Sequence, residues 1–236
     1  MMYDFFKNPS IHFNLNRSFN ESLKDLFAVF LKAFLFLFLN YLFVSLIDFI
    51  IVQSTHFSFQ NAINDAQKGA SNKNSVLFFL LFAPIVEELI FRLPLKTSRI
   101  NILTSFVFAY LLFVFISKEE LDIFNTATLM SSIAYFFIAF LIVYKLPIHL
   151  LQFQTEKSYR IYFYAMALIF GLLHIFNFMD LVPTHLLFFA PIFVIHQMIV
   201  GFFLAYLRLK RGILWSILLH FLFNLPPTIG YFFTSS

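Results

Sequence analysis

The stretch Pro84-Ile85-Val86-Glu87-Glu88-Leu89-Ile90-Phe91-Arg92 sets two carboxylates and a guanidinium inside a run of Val, Leu, Ile and Phe. A charge in the interior of a membrane is costly unless it faces protein, finds a partner or lines a wet cavity, so an acidic pair in such a run marks a functional site. On a helix Glu88 and Arg92 stand four apart and share a face, whereas Glu87 points about 100° away from Glu88. That spacing assigns Arg92 to Glu88 and leaves Glu87 to act on something else.

Composition puts the stretch in a membrane. Of 236 residues, 61% are apolar and 12% charged, and phenylalanine fills 39 positions, far outside the range of soluble domains. The expectation is an all-α fold, a polytopic membrane bundle of about seven helices. The net charge of +4 sits in short basic clusters between apolar runs, the pattern that orients a membrane protein, and nucleic acid is set aside as a partner. There is no cysteine, which excludes a disulfide, a thiolate metal site and a cysteine nucleophile. Asp4, Lys7, Arg17, Glu21 and Asp25 leave the first 25 residues without the apolar core of a signal peptide, so the first span is expected to be retained.

Residues 1–25 therefore read as a cytoplasmic lead-in broken at Asn8-Pro9-Ser10, and residues 26–236 as a single transmembrane domain. The expected spans are 26–52, 75–92, 102–116, 127–144, 159–179, 183–207 and 213–233, with 53–74 as one extended polar loop and short connections at Lys118-Glu119-Glu120 and 145–158. Lys32, Asn40 and Asp48 read as one polar packing face of the first span. Lead-in and even-numbered connections hold Lys7, Arg17, Lys24, Lys96, Arg99, Lys145, Lys157, Arg160, Arg208, Lys210 and Arg211; odd-numbered ones hold Lys68, Lys73 and Lys118. Eleven against three predicts a cytoplasmic N-terminus and an external C-terminus.

Three pairs spaced four apart stand out: Glu88 with Arg92, Phe170 with His174, and His220 with Asn224. At the rise of a helix Glu87 lies roughly 18 Å from a boundary near Arg99, His174 roughly 21 Å from one near Tyr159, and His220 roughly 13 Å from one near Arg211. All three fall toward mid-membrane, so one buried cavity is expected to collect them. A buried carboxylate with an imidazole activates water, and a second imidazole with an amide supplies donors to an oxyanion. The competing chemistry is a zinc held by Glu87, His174 and His220, for which no HExxH motif speaks.

Glu87-Glu88-x-x-x-Arg92, Phe170-x-x-x-His174 and His220-x-x-x-Asn224, in this order on membrane helices, resemble the signature of the CAAX protease and bacteriocin-processing family (CPBP, or ABI), the type II CAAX prenyl endopeptidases. The resemblance covers 75–99 and 160–225. It implies an intramembrane endopeptidase in which Glu87 activates water without a cofactor, His174 helps to position it, Glu88 and Arg92 are a supporting pair, and His220 and Asn224 form the oxyanion site. Its implied substrate is a membrane-associated peptide or protein. Between Arg92 and Phe170 lie 77 residues, more than the family pattern has and enough for an extra helix pair at about 102–144.

Bland readings stand beside this one. The Glu and Arg cluster also suits a structural ion-pair network, and each histidine alone suits an interhelical hydrogen bond. His196 and Gln197 suit repair of the backbone freed by Pro191. At the level of the whole protein the alternative is a catalytically silent scaffold that binds a membrane partner such as a sensor kinase or exporter. A transporter with a proton-coupled glutamate is the third class.

Overall fold

The computed structural model describes residues 2–7, 9, 18–69, 78–116, 126–145 and 155–234. Asn8 and Ser10 of the Asn8-Pro9-Ser10 break, the Lys118-Glu119-Glu120 connection and most of the 145–158 connection lie outside the described residues. Helices follow one another as α1 (Met2–Lys7), α2 (Phe19–Thr55), α3 (Phe59–Gly69), α4 (Ala83–Phe91), α5 (Arg99–Ile116), α6 (Thr126–Lys145), α7 (Glu156–Leu173), α8 (Ala190–Phe193), α9 (Ile195–Arg211) and α10 (Ile213–Thr234). No strand forms among the described residues, and the fold is the all-α bundle expected. The stretches Phe19–Thr55, Glu156–Asn177 and Thr184–Arg211 are long and apolar enough to cross a membrane, while Arg99–Val114, Met130–Lys145 and Ile213–Pro226 are shorter apolar helices. These lengths are those of the described residues, among which three stretches meet the length needed to cross.

Helix α2 shows why these segments pack as they do. Its buried positions Leu26, Val29, Ala33, Asn40, Val44, Asp48 and Ile51 recur at steps of three, four or seven residues, a stripe on one side of the helix. Phe34, Leu35, Phe38 and Leu39, off that stripe, are each more than half exposed, the surface a lipid-facing helix presents. Asn40 and Asp48 share the buried stripe as expected, but Lys32 does not: it is exposed, since position 32 falls outside the stripe.

The segment 53–74 is not one extended polar loop. It carries α3, whose Phe59 and Ala62 are buried and whose Ile63 and Ala66 pack against the same cluster, a 3,4 spacing hidden among amides. Asp48 of α2 holds its start, accepting hydrogen bonds from the Ser58 hydroxyl and the Phe59 amide at 2.7 Å each. The fifth span also ends early: α7 stops at Leu173 and the chain continues in tight 3-10 turns at His174–Asn177, Met179–Leu181 and Thr184–Phe189. The sixth is broken at Val194, between α8 and α9, just after Pro191, which cannot donate to a helical ladder.

Two buried clusters cap the bundle. One, around Leu26, Phe163, Leu204 and Leu207, joins α2, α7 and α9; the other, around Val44, Phe59, Phe193 and Val194, joins α2, α3, α8 and the break before α9. Basic side chains gather at the first end, where Asp25 takes Lys210 at 2.8 Å and Arg211 at 2.5 Å and Arg160 donates to the Lys7 carbonyl at 3.2 Å. Between the clusters α7 and α9 approach through two glycines. A Cβ at Gly171 would stand 2.8 Å from the Met198 amide nitrogen, and one at Gly201 would stand 3.0 Å from the Ala167 carbonyl oxygen, the small-residue contact that membrane helices favour. The extra pair packs in series, α6 on α5 and α5 on α4, with Phe108, Ala109 and Leu112 of α5 against Val86, Ile90 and Phe91 of α4.

Candidate active site

The acidic helix is short and held at both ends. Pro84 sits in its first turn, where the missing N–H is tolerated. The carbonyls upstream lose a donor, and the chain before it, Phe78–Phe82, widens into a π-helical turn. At the other end α4 passes into a 3-10 turn at Leu93–Leu95, which leaves carbonyls without their α-helical partners, that of Arg92 keeping the Leu95 amide at 3.3 Å. Side chains from three helices serve them. Ser105 of α5 donates to the Ile90 carbonyl at 2.6 Å and Arg208 of α9 to that of Arg92 at 3.1 Å. Tyr162 and Tyr159 of α7 donate to those of Pro94 and Leu95, both at 3.1 Å. None of these four donors was singled out by the sequence reading, which counted Arg208 only as a boundary charge. A hydroxyl on a neighbouring apolar helix carries no local signal of which carbonyl it will meet.

Glu88 and Arg92 are the pair expected. Their side chains are 0% and 1% exposed and stand 3.5 Å apart. The guanidinium lies over the Phe170 ring, 3.9 Å from its centroid, and its three nitrogens have no hydrogen-bond acceptor among the described residues, so the aromatic face and the carboxylate carry the charge between them. Gly201 makes room for this stack, since a Cβ there would lie 3.1 Å from Phe170 Cδ1 and 3.5 Å from an Arg92 terminal nitrogen.

His220 of α10 joins the two glutamates. Its Nδ1 is 3.1 Å from Glu88 Oε1 and its Nε2 is 3.5 Å from Glu87 Oε2. An ionised carboxylate only accepts, so Nδ1 donates to Glu88, and a neutral His220 turns a bare Nε2 toward Glu87. Glu87 is the more open acid, 24% exposed against 0% for Glu88. Ser216, one turn before His220, hydrogen-bonds Glu88 Oε2; the sequence reading passed over it.

His174 caps α7 and donates from Nδ1 to the Phe170 carbonyl, 2.9 Å away, so in the neutral ring Nε2 is free to accept. The ring stands edge-on to Phe170 with centroids 4.9 Å apart, and Phe170 is 5.9 Å from the His220 ring. Glu87 and His220 lie within electrostatic range of His174. Asn224, one turn beyond His220, is half-buried, and its carbonyl accepts from Thr228 at 2.7 Å. His196 bonds the Phe193 backbone, the repair expected near Pro191, while the buried Gln197 Oε1 has no partner among the described residues. No group of three or more His, Cys, Asp or Glu side chains among the described residues converges to hold a metal. His220 donates Nδ1–H toward Glu88 and turns Nε2 to Glu87 at 3.5 Å, and the chemistry below is built on the chain's own groups.

Compared with known proteins, residues 73–226 match the family model described as type II CAAX prenyl endopeptidase Rce1-like. The match spans more than half of the chain and contains the acidic helix, both histidine motifs and the extra helix pair. No curated protein and no solved structure matches.

Proposed function

The chain belongs to the type II CAAX prenyl endopeptidase Rce1-like family, an integral-membrane family of CAAX-type proteases, and from that premise we propose that it hydrolyses a peptide bond of a membrane-associated substrate with a water activated by Glu87. The observation that carries the reading is the double contact of His220, at 3.1 Å to Glu88 and 3.5 Å to Glu87, a buried acid–imidazole–acid chain beside a second imidazole. Water bound between Glu87 and the free Nε2 of His174 loses a proton to Glu87 as its oxygen adds to the scissile carbonyl carbon. That proton passes to His220 Nε2. The imidazolium is balanced through Nδ1–H by Glu88, itself 3.5 Å from Arg92, and its Nε2–H with the Asn224 side chain faces the oxyanion. Collapse breaks the C–N bond and returns the proton to the leaving amine. No metal or other cofactor takes part.

The chain enters the membrane from a cytoplasmic N-terminus and ends outside, so the basic end of the bundle faces the cytoplasm. Substrates are a prenylated CAAX tail or an unprenylated membrane peptide of the pheromone or bacteriocin-leader kind. The test reconstitutes the protein in proteoliposomes with quenched fluorescent peptides of both kinds, one of them a farnesylated CAAX reporter, and identifies products by mass. Expected is one new cleavage site that persists in metal chelator and is lost in His220→Ala and His174→Ala. A preparation that cleaves none of the peptides above the level of those variants overturns the reading and leaves the scaffold role, in which the same variants retain partner binding.

A further inference from the structure

The clamp on Glu88 has a member that the hydrolytic chemistry leaves unused. Ser216 is fully buried, and its hydroxyl lies between two acceptors, Glu88 Oε2 and the Leu204 carbonyl oxygen at 3.0 Å. A hydroxyl has one hydrogen. The Leu204 carbonyl lies inside α9, where the helical ladder already supplies a donor, whereas Oε2 takes no other hydrogen bond among the described residues, so the hydrogen belongs to Glu88. The carboxylate is then fixed by three groups: Ser216 on Oε2, and His220 Nδ1 and Arg92 Nε on Oε1, at 3.1 and 3.5 Å. Two of the three come from one face of α10, because Ser216 and His220 are four residues apart.

The terminal torsion of a glutamate is broad and close to two-fold, so contacts on one oxygen alone leave its plane free to turn. Ser216 stops that rotation. We infer that Ser216 is a positioning residue which, by pinning the Glu88 carboxylate, holds His220 as the Nδ1–H tautomer and keeps its Nε2 turned to Glu87. The catalytic consequence rests on the hydrolytic reading above; the tautomer rests on geometry alone.

The tautomer is read directly by 15N NMR of histidine-labelled protein in lipid nanodiscs, at a pH where the ring is neutral, with the His220 signals assigned by their loss in His220→Asn. Wild type is expected to show a protonated Nδ1 and a bare Nε2. Ser216→Ala, which removes one oxygen and adds no bulk, is expected to give mixed tautomers in a protein that still folds, with an unfolding temperature lowered by the lost hydrogen bond to a buried carboxylate. Cleavage of the reporter peptide by this variant is expected to fall roughly tenfold to a hundredfold, the value of one hydrogen bond to a charged group. Ser216→Thr, which keeps the hydroxyl, is expected to restore the wild-type spectrum and rate. A Ser216→Ala protein with the wild-type tautomer overturns the inference, as does one with mixed tautomers and a wild-type rate. Failure of the hydrolytic reading shows elsewhere, as cleavage that survives Glu87→Gln, and leaves the spectra of the serine variants to be judged by themselves.

Discussion

Glu88 and Arg92 have almost no exposed surface between them, and a pair in that position answers differently to losing one member than to losing both. Arg92→Ala alone leaves a carboxylate buried without its counter-charge, and the expected cost is about 3–5 kcal/mol. The joint replacement Glu88→Met with Arg92→Met recovers most of it. Glu87→Gln, at a partly exposed carboxylate of similar shape, is expected to change stability by less than about 0.5 kcal/mol. Thermal unfolding of the purified variants in detergent checks all three. This asymmetry also explains which residues were legible in the sequence. Glu87, Glu88, Arg92 and His220 are conspicuous because lipid makes any ionisable group expensive. Ser216, Ser105, Tyr159 and Tyr162 are ordinary residues of membrane helices, and only their neighbours across the bundle turn them into clamps.

Among the elements, the tightest constraint is the approach of α7 to α9, which sets Phe170 under the Arg92 guanidinium and His174 beside the acidic helix. Gly171→Ala puts a methyl 2.8 Å from backbone of α9, so the helices must separate. The expected loss is about 1–3 kcal/mol, larger than the loss for Gly201→Ala, whose nearest contact is 3.0 Å, in the same unfolding assay. A second constraint is the seating of α3. Asp48→Ala removes both hydrogen bonds to its first turn and is expected to cost about 1–2 kcal/mol, seen as faster hydrogen exchange at the Phe59 amide while α9 keeps its protection. The sequence reading missed α3 for a physical reason: its four apolar contacts are diluted by Gln60, Asn61, Asn64, Asp65 and Gln67, and Asp48, which starts it, lies on another helix. Long apolar helices were legible; the early end of α7 was not, since nothing local to Leu173 breaks the apolar pattern.

At the scale of the whole molecule, the charge pattern and the packing agree. Residues assigned by alternation to one side, Lys7, Arg160, Lys210 and Arg211, meet around Asp25 and α1 at one end of the bundle. The natural chain has no cysteine, so single cysteines report sidedness without background. Lys157→Cys, exposed at the start of α7, is expected to react with a membrane-impermeant maleimide only from the cytoplasmic face, and His185→Cys, exposed beyond the other end of α7, only from outside. Labelling of both from one side would remove the assigned orientation. The central claim is that the acidic helix, locked between α5, α7, α9 and α10, presents Glu87 as the group that activates water. Its most direct measurement is the rate of farnesylated reporter cleavage in proteoliposomes by wild type and by Glu87→Gln at matched unfolding temperature. A fall of at least about a hundredfold, the lower range for loss of a general base, is the predicted result, and a Glu87→Gln protein that cleaves at the wild-type rate contradicts the account.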